Sequence, residues 1–244
     1  MKINWDSEVL SSVSKAVDQL EHLSINKDSI ESVADWLAYE EFPMPSSAAV
    51  RDDADDFIRA TMFMNTLNFA FTDFDKSIKY EINEDGKILS DSEAMYFQVN
   101  NAISSGIKLT DGNEMASISL QQLKNIFVGN IEMPMLKERV EILNEVGQKL
   151  VDSYEGDWIN FINNGPKKLY SEGSGLIERL IEEFPRFDDS SEFKGSKVKF
   201  YKLAQLAFWV IHAELSGSNY FKIEDMNSMT AFADYIIPVA LNLK

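Results

Sequence analysis

Cysteine is absent from this 244-residue sequence, and histidine occurs only twice, as His22 and His212. The first absence excludes disulfides, thiolate metal sites and cysteine nucleophiles. The second excludes a multi-histidine metal centre. Basic residues are few, 23 Lys and Arg against 40 Asp and Glu, for a net charge of −17. A chain this acidic repels phosphate backbones, which argues against a nucleic-acid partner. A pocket for one small anion needs only one or two local cations. No run of 18 apolar residues occurs, so no membrane span is expected. The opening Met1-Lys2-Ile3-Asn4-Trp5-Asp6 lacks the basic-then-apolar pattern of a signal peptide. These readings point to a cytoplasmic protein with no membrane partner. Also missing are G-x-G-x-x-G, a P-loop and a G-x-S-x-G elbow; Gly173-Ser174-Gly175 has no strand before it. A Ser-His-Asp triad would have to recruit His22 or His212, and nothing in the sequence pairs them.

What remains is helical. Hydrophobic residues make up 45%, enough for a full core, and the expected fold is mainly α in a single domain over 1–244. Apolar stripes predict helices over 6–23 (Val9, Leu10, Val13, Ala16, Val17, Leu20), from Asp28 or Ser29 through Trp36 to Tyr39, and over 92–104 and 119–127. Further helices are predicted from Pro134 onward, and over 176–184, 197–215 and 228–241. Phe42-Pro43-Met44-Pro45-Ser46-Ser47 and Phe184-Pro185-Arg186-Phe187-Asp188-Asp189-Ser190 read as loops. The one clear β element is a hairpin, Lys79-Tyr80-Glu81-Ile82 returning through Asn83-Glu84-Asp85-Gly86 to Lys87-Ile88-Leu89. Asp52, Asp53, Asp55 and Asp56 read as a solvated helix face. Gly147, inside the helix after Pro134, costs about 1 kcal/mol relative to Ala, which points to a close helix contact.

Two segments can carry chemistry. On the helix after Phe200, the residues Leu203, Ala204, Ala207, Phe208, Ile211 and Leu215 share a core face with Phe200. Lys202, Gln205, Trp209 and His212 form the adjacent stripe. That row either lines a pocket, or packs Trp209 in the core while Lys202 reaches water along its stem. In Met229–Leu241, Asp234 is the only acid among apolar residues, four positions before Pro238. Proline there crowds the Asp234 carbonyl, so a kink beside the one carboxylate is expected. That carboxylate either serves catalysis or caps locally. Lys194, Lys197, Lys199 and Lys202 form the densest basic stretch, either an anion site or a solvated helix start.

Four runs in order resemble the queuosine salvage proteins. They are Thr66-Leu67-Asn68-Phe69-Ala70-Phe71; Met133-Pro134 with Glu138-Arg139 and Ile142-Leu143-Asn144-Glu145-Val146-Gly147; Phe193-Lys194-Gly195 with Phe200-Tyr201-Lys202 and Ala204-Gln205; and Met229-Thr230-Ala231-Phe232-Ala233-Asp234-Tyr235 with Pro238. Thr72 stands where the family usually has Trp. Family members generally continue for several tens of residues past the last run, whereas this sequence ends at Lys244.

The resemblance implies a helical fold related to helix-hairpin-helix DNA glycosylases, with one small β-hairpin. It implies hydrolysis of the N-glycosidic bond of queuosine 5′-phosphate, a small-molecule substrate, with no metal or organic cofactor. It assigns catalysis to Asp234, matches Lys202 to the family's lysine as a catalytic residue, and places Asn68, Phe69 and Phe71 against the base. As a mechanism, Lys202 either orients Asp234 or binds the 5′-phosphate, Phe69, Phe71 and Tyr235 stack on the base, Asn68, Asp73 or Asp75 assists its departure, and Lys199, Lys197 and Arg139 are further candidates for the phosphate. Two other readings stand beside it: a glycosylase acting on a base within DNA or RNA, and a binder of modified nucleotides without turnover.

Overall fold

The computed structural model describes residues 7–24, 26–40, 53–73, 75–218, 220–234 and 237. Among these, ten α-helices carry the architecture: α1 (Glu8–Val17), α2 (Lys27–Leu37), α3 (Ala54–Thr66), α4 (Asp91–Ser104), α5 (Gly112–Ser117), α6 (Leu120–Ile126), α7 (Leu136–Tyr154), α8 (Trp158–Asn163), α9 (Leu176–Glu183) and α10 (Lys202–Leu215). The fold is mainly α, as expected.

Local chemistry sets the helix starts. Asn26, Asp53, Asp111 and Asp157 each accept backbone N–H bonds at the first turn of α2, α3, α5 and α8. Ser119 and Gln122 form a reciprocal box at α6. The acidic cluster is thereby explained in its described part: Asp53 caps α3, and Asp56 pairs with Arg59 on the exposed face. Asp52 and the loop 42–47 lie outside the described residues.

α3 is the central helix, with every residue from Phe57 to Thr66 buried except the half-buried Arg59. It packs against α10 and α8. Below it, Tyr154, Trp158, Phe161, Phe184 and Phe187 form an aromatic cluster with ring centroids 4.9–6.4 Å apart. Gly147 of α7 meets α5 as expected: a Cβ there would lie 2.3 Å from Ala116 N and 2.7 Å from Gly112 O. Those are backbone atoms of a packed helix. Gly147→Ala is therefore expected to destabilise the protein by about 3 kcal/mol, outweighing the gain in helix propensity of about 1 kcal/mol. Urea denaturation checks this.

Three expectations are corrected. The described residues hold three two-stranded antiparallel sheets, not one hairpin: β1 (Thr72–Asp73) with β2 (Ile78–Lys79), β3 (Glu81–Glu84) with β4 (Lys87–Ser90), and β5 (Ser190–Phe193) with β6 (Ser196–Lys199). The β3–β4 hairpin falls where Asp85-Gly86 predicts it. The last pair overturns the helix start at 197. Left-handed Lys194 (φ 47°) and Gly195 (φ 77°) close a tight turn, and Val198 pairs with Ser191, so α10 begins only at Lys202.

The first helix ends at Val17, not 23. Val17, Leu20 and Leu23 are exposed, so the apolar stripe has no core to bury against beyond Ala16. Finally, 229–234 is not helical. Met229 is extended (φ −72°, ψ 144°), and the segment runs along α10 instead of forming its own ladder. The expected kink at Pro238 lies outside the described residues.

Candidate functional site

The row Lys202, Gln205, Trp209 and His212 is where α10 receives the chain's last described segment. Lys202 Nζ donates to Asp234 Oδ2, forming an ion pair with both side chains about a quarter exposed. Gln205 Oε1 accepts from Thr230 N at 2.8 Å. Trp209 and Phe232 meet edge to face, centroids 5.8 Å apart. His212 Nδ1 accepts from Ile223 N at 2.9 Å. The row faces protein along its length, neither lying free as a pocket wall nor sending Lys202 simply to water.

The local backbone explains how Lys202 is aimed. Tyr201, buried and left-handed (φ 50°), turns the chain from β6 into α10, so Lys202 opens the helix. An ammonium at a helix N-terminus opposes the dipole, and a carboxylate there is favoured. Asp234 beside Lys202 supplies that carboxylate. The pair is a carboxylate held in one place and about a quarter exposed.

The rest of the basic stretch does not gather there. Lys194 pairs with Glu21, Lys197 with Asp188 at 2.9 Å and Lys199 with Glu8 at 2.6 Å. The alternative of a solvated helix start also fails for 194–199, because these residues lie in the β5–β6 hairpin.

The aromatic run follows the C-terminus of α3. Asn68 Nδ2 donates to Tyr96 Oη at 3.0 Å. Burial pushes the Tyr96 phenol up to about 12, with the Asn68 bond acting the other way, so it remains a neutral hydroxyl. Phe69 is engaged by two guanidinium carbons, Arg139 at 4.3 Å and Arg186 at 4.5 Å from its centroid. Phe71 lies 5.2 Å from Arg139. Asp73 closes a turn, accepting from Asp75 N at 3.1 Å and Lys76 N at 3.2 Å, while Asp75 is exposed. Tyr235 lies outside the described residues.

Arg139, a phosphate candidate from the sequence, is corrected. It is fully buried, and its donors go to the carbonyls of Pro134, Leu67, Phe69 and Ala70. It clamps the aromatic run. Arg186 assists, donating Nε to Thr66 O at 2.9 Å. Burial lowers both guanidinium pKa values to about 10, and the two cations repel each other at Arg139. Sequence reading missed Arg186, placed in a presumed loop, and Tyr96. Nothing in their spacing marks them, since each meets the run only through tertiary packing.

Burial, and then the charge of Lys222, lowers the pKa of His212. The folded value lies below the unfolded one, so this stability is present above the ordinary histidine range. It is lost as pH falls through the lowered value. Protonating Nδ1 also removes the acceptor for Ile223 N–H. The expected result is a melting temperature that falls between pH 7 and 5 more in the wild type than in His212→Asn, whose amide oxygen keeps the acceptor. Melting curves across that range check it.

Comparison with known proteins now fits this geometry. The family model described as queuosine salvage protein matches residues 48–244, and the chain belongs to that family. It is 31% identical over 191 residues to a Mus musculus protein named queuosine 5′-phosphate N-glycosylase/hydrolase, covering 77% of this chain and 55% of that one. A Nematostella vectensis protein of the same name is 31% identical over 219 residues, covering 88% and 59%. One from Sphaerobacter thermophilus is 26% identical over 237 residues, covering 96% and 71%. The chain thus spans little more than half the length of the first two. The resemblance carried by the four runs is borne out at the level of family.

Proposed function

We propose that this chain hydrolyses the N-glycosidic bond of queuosine 5′-phosphate, as a single cytoplasmic domain over 1–244 acting on a small molecule. The observation that carries the reading is the Lys202–Asp234 ion pair. Two of the family-like runs, more than thirty residues apart in sequence, meet in it, and the name shared by the relatives describes chemistry that needs one fixed carboxylate.

Cleavage of the bond from C1′ to the base nitrogen builds positive charge on the sugar. Asp234 stabilises that charge and takes a proton from the attacking water. The water hydroxyl ends on C1′, giving ribose 5-phosphate, and a proton ends on the base nitrogen, giving queuine. Lys202 orients Asp234. Asn68 and Phe71 contact the base, with Phe69 supporting Phe71 through Arg139. Asp73 lies on the same segment as a candidate for assisting the leaving base. Lys199, three residues before Lys202, is the proposed phosphate ligand and has to leave Glu8 to reach the anion.

The test is a mass-spectrometric assay for free queuine from purified chain and queuosine 5′-phosphate, with guanosine 5′-phosphate as competitor. Release of queuine supports the proposal. Ligand binding without release would make the chain a binder, and tight, salt-dependent binding to duplex would favour action on a base in nucleic acid.

A further inference from the structure

Gln205 is fully buried, and its amide is used at both ends. Nε2 donates to Phe200 O at 3.1 Å, just before the left-handed turn at Tyr201. Oε1 accepts from Thr230 N at 2.8 Å and from Thr230 Oγ1 at 3.0 Å. The amide orientation follows from its partners, because a carbonyl can only accept and a backbone N–H can only donate. One side chain therefore ties the residue two before Lys202 to the residue four before Asp234.

Between these ties nothing periodic holds the segment. Residues 229–234 have no helical or strand ladder of their own. The segment's anchors on α10 include Thr230 on Gln205, the Phe232 ring on Trp209, and Asp234 on Lys202. Of these, Thr230 is held through its backbone N–H by a fully buried side chain. A buried, fully satisfied amide is costly to disturb and fixes geometry more tightly than a partly exposed ion pair.

We infer that Gln205 is a positioning residue. It sets the register of the Thr230–Asp234 segment against the start of α10, and so fixes the Asp234 carboxylate at Lys202. This rests on the catalytic reading of Asp234, but the mechanical part is testable without it.

Two variants of the full chain separate the possibilities. Gln205→Met keeps the volume and removes both polar ends. Hydrogen–deuterium exchange in peptides covering 229–234 is expected to speed up about tenfold or more, while α3 peptides stay protected. Turnover number kcat is expected to fall about 30- to 100-fold with KM changed less than about threefold, as for a sub-ångström to 1 Å misplacement of a reacting group. Gln205→Glu keeps the acceptor but loses the donor while ionised. Its activity relative to wild type is expected to rise as pH falls from 8 to 6, because the protonated carboxyl regains a donor for Phe200 O.

Unchanged exchange at 229–234 in Gln205→Met overturns the inference whatever the activity does. Faster exchange with unchanged kcat, or a pH-independent activity ratio in Gln205→Glu, also overturns it and leaves Gln205 as packing. An active Asp234→Asn variant would remove the catalytic reading instead. The exchange result then still decides whether Gln205 holds the segment.

Discussion

On the proposed reading, Asp234→Asn is expected to lower kcat for queuine release about 1,000-fold, with KM changed less than about threefold. The size follows from what the carboxylate is asked to do. General base catalysis contributes roughly 10²–10⁴-fold, and electrostatic stabilisation at a prepared site about 10²–10³-fold. Asparagine keeps the shape and one oxygen but loses the charge and the basicity, so both effects go together and do not simply multiply. The fold should survive. Lys202 and Asp234 are each about a quarter exposed, and removing one partner leaves an ammonium that reaches water along its stem. Such a pair is worth about 1 kcal/mol or less once screened. Steady-state kinetics with a parallel melting curve checks this. Wild-type kcat in a folded Asp234→Asn variant would mean that another group carries the charge.

How much of this was legible in the sequence differs between elements for physical reasons. Helices α4, α6 and α9 start and stop within two residues of their predicted places, and α7 starts within two. Each couples an apolar stripe to a core that uses all of it, and Asp85-Gly86 is a local signal sufficient for its hairpin. Gly147 was legible because a helix glycine needs a reason. The β5–β6 pair was not, since Ser196-Lys197-Val198-Lys199 reads as helix or strand until the turn at Lys194-Gly195 selects the strand. In the site, the row on α10 was visible as a stripe, but its partner was not. A stretch with a helical pattern, 229–234, gives up its own ladder for bonds to Gln205 and Lys202, and that choice lives in tertiary contacts. Arg139 was noticed for its charge and assigned to a phosphate. Only the fold shows that its charge is spent on carbonyls.

Arg139→Met is expected to be strongly destabilising, and its functional effect should appear in KM. Arg139 is fully buried and supplies charge-assisted bonds to Leu67, Phe69, Ala70 and Pro134 carbonyls. Methionine fills most of the volume and pairs none of them. Each buried carbonyl left without a donor costs about 1–3 kcal/mol. Opposing this, the variant no longer buries a charge and no longer sets two guanidinium groups against each other, the causes that lower Arg139 to about 10. Loop residues at 69–71 are only half-buried, so some carbonyls can turn to water. The net loss is about 2–4 kcal/mol, a fall in melting temperature of roughly 5–15 °C for a chain of this size. Arg139→Lys keeps the charge but has one compact ammonium for acceptors spread along a loop, and should fall between. Below the new melting temperature, on the proposed reading, freed Asn68, Phe69 and Phe71 would raise KM several-fold while kcat, which that reading gives to Asp234 on the other segment, changes less. Melting curves and steady-state kinetics on both variants check the two parts separately. An Arg139→Met protein as stable as wild type would show that the clamp is not what orders the aromatic run.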